Sequence, residues 1–168
     1  MRKDTLVFDS KFLKVYSTRK DGGFYYAERL GKDSVAFVLV SKDKDDKMPF
    51  GLITEFKDPI DKFLTTGFGG SMDKDVSKIQ LVKEEVIEES GFDVEEKDIH
   101  YVGRVLCSTQ MNQFVYLYYV DVDKSKQGEK TTDNPSEKKA KIVWVNKEII
   151  LKLLDWKSVT ILAKAGKL

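Results

Sequence analysis

The chain has one cysteine, one histidine, no long apolar run and no excess of either charge. A lone Cys107 excludes an internal disulfide and fits a reducing compartment. It sits in an apolar run with no histidine near it in sequence, so it reads as a small buried residue rather than a nucleophile. The only histidine, His100, precedes an expected strand. Twenty-nine basic and 28 acidic residues leave a formal net charge of +1, which gives no global pull toward nucleic acid or a membrane surface. No segment approaches the length needed to span a bilayer. The start, Met1-Arg2-Lys3-Asp4, is followed by no apolar stretch, which argues against a signal peptide and for a cytoplasmic protein. There is no internal repeat and no linker. The 168 residues, 41% apolar, suit one domain over 1–168 with a real core, residues 1–30 forming an N-terminal strand region.

What is present is a run of strand patterns, a helix, more strands, then helices. Leu6 to Phe8, Phe12 to Ser17 and Phe24 to Leu30 read as strands, with a turn at Gly22-Gly23. Ser34 to Val40 is a nearly unbroken apolar run, expected at the centre of a sheet. Lys42 to Lys47 is a charged turn, Gly51 to Phe56 a strand ended by Pro59, and 57–66 a connecting loop leading to a glycine turn, Gly67-Phe68-Gly69-Gly70. The spacing predicts a helix over Ser77 to Ser90, with Ser77 as N-cap, Gly91 as C-cap, and Ile79, Val82 and Val86 as its core stripe. Tyr101 to Cys107 and Gln113 to Val122 are strands. Residues 123–139 form a long polar loop, Ile142 to Val145 a last strand, and Lys147 to Leu154 and Ser158 to Lys164 helices. Trp144 and Trp156 read as core. The order predicts an α+β fold, a mixed sheet flanked by helices.

The chemistry concentrates in Glu85-Val86-Ile87-Glu88-Glu89-Ser90-Gly91-Phe92. Residues three and four apart share a helix face, so Glu85, Glu88 and Glu89 crowd together and repel. A hard divalent cation relieves that repulsion, because such ions favour carboxylate oxygens. The competing reading is a solvated acidic face.

Spacing back to Gly70 makes this stretch resemble the second half of the Nudix box, which runs glycine, five residues, glutamate, seven residues, Arg-Glu-apolar-any-Glu-Glu-any-Gly-apolar. Positions 85 to 92 match. Two upstream positions do not: Val76 stands where the box has glutamate, and Glu84 where it has arginine. Glu84 adds repulsion, to be offset by Lys83 or Lys78, although Lys83 points about 100° away on a helix. The front half looks most like the ADP-ribose pyrophosphatase branch, with Phe56-Lys57 as an aromatic-basic pair ending a strand.

The resemblance implies a Nudix-type α/β/α sandwich and a metal-dependent hydrolase cleaving the diphosphate bond of a nucleoside diphosphate linked to another group, with ADP-ribose or a nucleotide sugar as the expected substrate. It implies Mg2+ or Mn2+ on Glu85, Glu88, Glu89 and the Gly69 carbonyl. It places Glu85 and Glu88 among the catalytic residues, joined by a loop glutamate for which Glu137 and Glu129 are candidates; the alternative for both is a solvent-facing charge. Lys57 and Gly70 are expected at the substrate, Lys57 being equally at home as a strand-end charge. Related enzymes are often homodimers sharing N-terminal strands. Nucleic acid and membrane partners are not expected. Two other readings stay open: a nucleotide sensor that binds without hydrolysis, and a hydrolase of dinucleotide polyphosphates, nucleoside triphosphates or capped RNA ends.

Overall fold

The computed structural model describes residues 4–18, 23–29, 31 and 33–168. Part of the turn expected at Gly22-Gly23, and the expected strand end at Leu30, lie outside them. In chain order the elements are β1 (Thr5–Asp9), β2 (Leu13–Ser17), β3 (Tyr25–Arg29), β4 (Ser34–Ser41), β5 (Phe50–Lys57), β6 (Lys62–Thr66), β7 (Phe68–Ser71), α1 (Lys78–Ser90), β8 (Ile99–Ser108), β9 (Met111–Val122), α2 (Pro135–Lys139), β10 (Lys141–Val145), α3 (Lys147–Ile150) and α4 (Trp156–Lys164).

The strands pair as one mixed sheet in the order β1-β2-β3-β9-β4-β5-β10, with β6 on β5, β7 on β4 and β8 on β9. β4 is its axis, and residues 35–40 are buried on both faces, which explains the unbroken apolar run. One edge of β4 runs parallel to β9 from Ser34↔Val115 to Ser41↔Val122. Its other edge is shared. Residues Ser34 to Phe37 pair with β7, while Leu39 and Val40 pair with β5. β5 and β7 therefore diverge from β4, and the fork leaves an opening between them.

The pleat of β4 sends alternate side chains to two cores. Val35, Phe37 and Leu39 join Leu81, Val82 and Val86 of α1, with Phe37 stacked on Phe68 at 5.1 Å between ring centroids. Ala36, Val38 and Val40 join Ile150, Ile161 and Leu162 of α3 and α4. Helices thus cover both faces of the sheet, the arrangement expected from the order of elements.

Several local expectations need correction. Residues 57–66 are not a plain loop. Pro59 ends β5 in a 3-10 turn, Asp61 takes a left-handed conformation at φ 52°, and the chain reverses so that β6 pairs antiparallel with β5. The expected glycine turn is mostly strand β7, paired with β4. The core stripe of α1 is Leu81, Val82 and Val86; Ile79 is 37% exposed and lies beside Tyr101 and Tyr116. The helix expected from Lys147 is only the four residues of α3. α4 starts earlier than expected, at Trp156, because Asp155 caps it, and Trp156 is 41% exposed. Trp144 is half-buried, its ring edge-on to Phe92. His100 lies within β8, not before it, and pairs with Asp121 at 2.9 Å. Among the described residues no helix is long and apolar enough to cross a membrane.

Candidate functional site

The fork in the sheet opens into a cleft of about 280 Å³, walled by Ile53, Glu55 and Lys57 of β5 and by Thr66 through Ser71. Glu89 and Glu137 line it, and Arg29 and Lys157 stand with them. The cleft therefore presents three carboxylates and three cations.

α1 carries the acids to this place. Ser77 Oγ accepts the amide hydrogen bond of Gln80 at 3.1 Å and opens the helix. Gly91, at φ 77°, closes it with its N–H on the Ile87 carbonyl at 3.0 Å. Burial of Val82 and Val86 fixes the rotation, which turns Glu85 and Glu89 toward β7. Gly70 makes the approach possible. A Cβ at position 70 would stand 2.2 Å from Glu85 Oε1, so only a residue without one admits the Glu85 carboxylate. Gly69 approaches β4 closely in the same way, 2.7 Å separating a notional Cβ from the Val35 carbonyl oxygen.

Electrostatics mark the two helix acids. Burial, the Glu88 charge and then Glu137 push Glu85 up to about 7, with Lys74 pulling it back in part. Burial, then Glu85 and Glu137, push Glu89 up to about 8, against a hydrogen bond from the Gly69 N–H. Among the described residues, the buried Glu89 Oε2 has no hydrogen-bond partner. A buried carboxylate oxygen left unpaired is costly, and a cation or a proton resolves it.

Glu137 reaches the cleft from α2. Thr132 Oγ1 donates to its Oε2, and Asn134 Nδ2 donates to its Oε1 at 2.6 Å. Glu129 is exposed and does not line the cleft. Glu88 is half-buried, outside the cleft lining, and acts on Glu85 through charge. Lys57 lines the cleft with its ammonium on Glu55.

The two departures from the box also find their places. Val76 packs against the α1 core together with Met72, so an apolar residue suits that position. Glu84 is balanced, but not by Lys83 or Lys78. Gln80 Nε2 donates to it at 3.0 Å and Lys74 Nζ stands 3.6 Å away, while Lys78 lies over the Tyr116 ring.

The oxygen donors suit a hard divalent cation in kind. Among the described residues, however, no three acidic, histidine or cysteine side chains stand close enough together to hold one as they are. The Glu137 charge acts on both Glu85 and Glu89, and that of Glu85 on Glu89, so a bound cation would relieve the repulsion among them.

Sequence reasoning missed Glu55, Arg29 and Lys157, which lie on separate strands and a helix and meet only through the sheet topology. It also missed Asp155. This buried carboxylate accepts from the Gly67 N–H at 2.9 Å, the Ser158 N–H at 3.1 Å and the Ser158 hydroxyl at 2.6 Å, and so ties the start of β7 to α4. An aspartate three residues before a serine at a helix start is an N-cap signal that could have located it.

No family model matches the chain, and no curated protein matches it. Solved structures do. A crystal structure of an ADP compounds hydrolase is similar over 98% of this chain and 90% of its own, with a TM-score of 0.70 and 16% sequence identity. The chain has a Nudix-like α+β fold, the class its acidic helix had implied.

Proposed function

We propose that this protein hydrolyses the diphosphate bond of a nucleoside diphosphate linked to another group, ADP-ribose or a nucleotide sugar, with Mg2+ or Mn2+ as cofactor. The unpartnered, buried Glu89 Oε2 beside Glu85 carries the reading. The fold shared with an ADP compounds hydrolase supports it.

Glu85, Glu88 and Glu89, with the Gly69 carbonyl, would hold the metal. When bound, it would neutralise the diphosphate and lower the pKa of a water. Lys57 and Arg29, lining the same cleft, pair with phosphate oxygens, and Gly70 leaves room for substrate and for Glu85. Glu137, oriented by Thr132 and Asn134, takes the proton of the attacking water. The water oxygen bonds to one phosphorus as the bridging P–O bond breaks. The products are a nucleoside monophosphate and the phosphorylated remainder.

One observation favours a second reading. With no three carboxylates assembled among the described residues and no arginine at position 84, the domain would bind a nucleotide without cleaving it. Incubation with ADP-ribose, nucleotide sugars, dinucleotide polyphosphates and nucleoside triphosphates, with each metal in turn, separates the readings. Metal-dependent release of nucleoside monophosphate supports hydrolysis; calorimetric binding with no product supports the sensor. We further propose one cytoplasmic domain that pairs as a homodimer.

A further inference from the structure

The segment that delivers Glu137 is not a free loop. At its start the Gly128 N–H donates to the Gly91 carbonyl at 2.9 Å, and Gln127 Nε2 donates to the Ser90 carbonyl at 3.2 Å. The segment therefore docks on the C-terminal end of α1, the helix that carries Glu85 and Glu89. A side chain at 91 would stand 2.3 Å from the Gly128 carbonyl oxygen, so Gly91 serves the docking as well as the cap.

Two residues on from Gly128, Lys130 reaches to the other end of the segment. Its ammonium donates to the carbonyls of Glu137, at 3.1 Å, and of Ala140, at 2.6 Å. Glu137 lies in α2 and Ala140 just past its end, so the ammonium ties down the last turn of the helix, where the Glu137 carbonyl also accepts from the Ala140 N–H at 3.2 Å. The half-buried ammonium also lies in the field of Glu89, Glu137 and Glu55. Three carboxylates line this cleft, and the segment bearing Glu137 must fold against the repulsion of the other two. Thr132 and Asn134 orient the Glu137 carboxylate but carry no charge to oppose it.

We infer that Lys130 is a positioning residue, an internal cation that staples residues 130–140 over the cleft and so aims Glu137 at Glu85 and Glu89 before any metal or substrate is present. The catalytic part of this inference rests on the proposed role of Glu137; the staple itself does not.

Hydrogen exchange of the metal-free protein reads the staple directly. Lys130→Met removes charge and donors, and amides of 130–140 should then exchange about tenfold faster than wild type, the effect of losing a charge-assisted hydrogen bond. Lys130→Arg keeps both and should stay near wild type. Should Lys130→Met fail to fold, Lys130→Gln, neutral but still a donor, takes its place with the same expectation. Wild-type exchange in the folded neutral variant overturns the inference. In turnover assays the neutral variant should lose about tenfold in kcat with KM within about twofold, the signature of a displaced general base. A matching loss in Lys130→Arg would overturn the positioning role. If wild type itself turns nothing over while the exchange result holds, the proposed hydrolysis fails and the staple stands.

Discussion

Burial and neighbouring carboxylates hold Glu85 near 7 and Glu89 near 8, both far above an ordinary glutamate. The sign of the consequence is fixed. A carboxyl whose folded pKa is raised binds more protons in the folded than in the unfolded state, so its stabilisation is full below about 4.5 and is lost as pH rises through 7 and 8. The metal-free protein should therefore melt higher at about pH 5 than at about pH 9, and Glu89→Gln should flatten that dependence. Calorimetric melting across this range checks it; a Tm that climbs steadily toward pH 9 contradicts it. Magnesium should oppose the trend, because binding requires the ionised form and releases protons. Gly70→Ala places a methyl group 2.2 Å from Glu85 Oε1 and should cost about a hundredfold in turnover through displacement of that carboxylate. Steady-state kinetics beside a melting curve measure this, with Tm close to wild type. These acids were legible in the sequence because helix periodicity places them. Their neighbours Glu55, Arg29 and Lys157 were not, since no local pattern marks which strand residues face a fork in the sheet.

At the level of elements, α1 shows how a cap can serve two purposes. Gly91 was recognisable as a helix stop, and its left-handed φ agrees. Its docking to Gly128 was hidden, because it depends on where a polar segment folds back. Gly91→Ala should cost about 1–3 kcal/mol in chemical denaturation, from the strained φ and from the collision with Gly128. Asp155→Ala leaves the Gly67 amide and the Ser158 hydroxyl without their buried acceptor and should cost about 1–3 kcal/mol in the same measurement. β6 escaped notice because its pattern, Lys62-Phe63-Leu64-Thr65-Thr66, is short and follows a proline; the left-handed Asp61 that reverses the chain leaves little sequence trace. Trp156 shows the opposite error. A tryptophan reads as core by composition, yet the Asp155 cap sets it at the first, exposed turn of α4.

Over the whole molecule, the sheet unites two regions of different character. Residues 35–40 of the central β4 are buried on both faces, whereas all five residues of β1 are exposed, and Leu6, Val7 and Phe8 within it, with Phe12 and Phe24 in the connections to β2 and β3, present apolar surface. Exposed apolar surface of this extent favours association. Light scattering should give twice 19.3 kDa, and Phe8→Lys should shift the protein toward monomer with its Tm near wild type. The fold class was legible from the order of elements and the unbroken run of β4, which demand a covered sheet. The fork of β4 between β5 and β7 was not legible, and it is the fork that makes the cleft. The cleft's chemistry is tested most directly by one paired assay. Wild type and Glu89→Gln are incubated with ADP-ribose and magnesium, and the nucleoside monophosphate is quantified by chromatography. Metal-dependent product from wild type, reduced at least a hundredfold or so in the variant, is the predicted result. Equal turnover by the two proteins would contradict the assignment of the site.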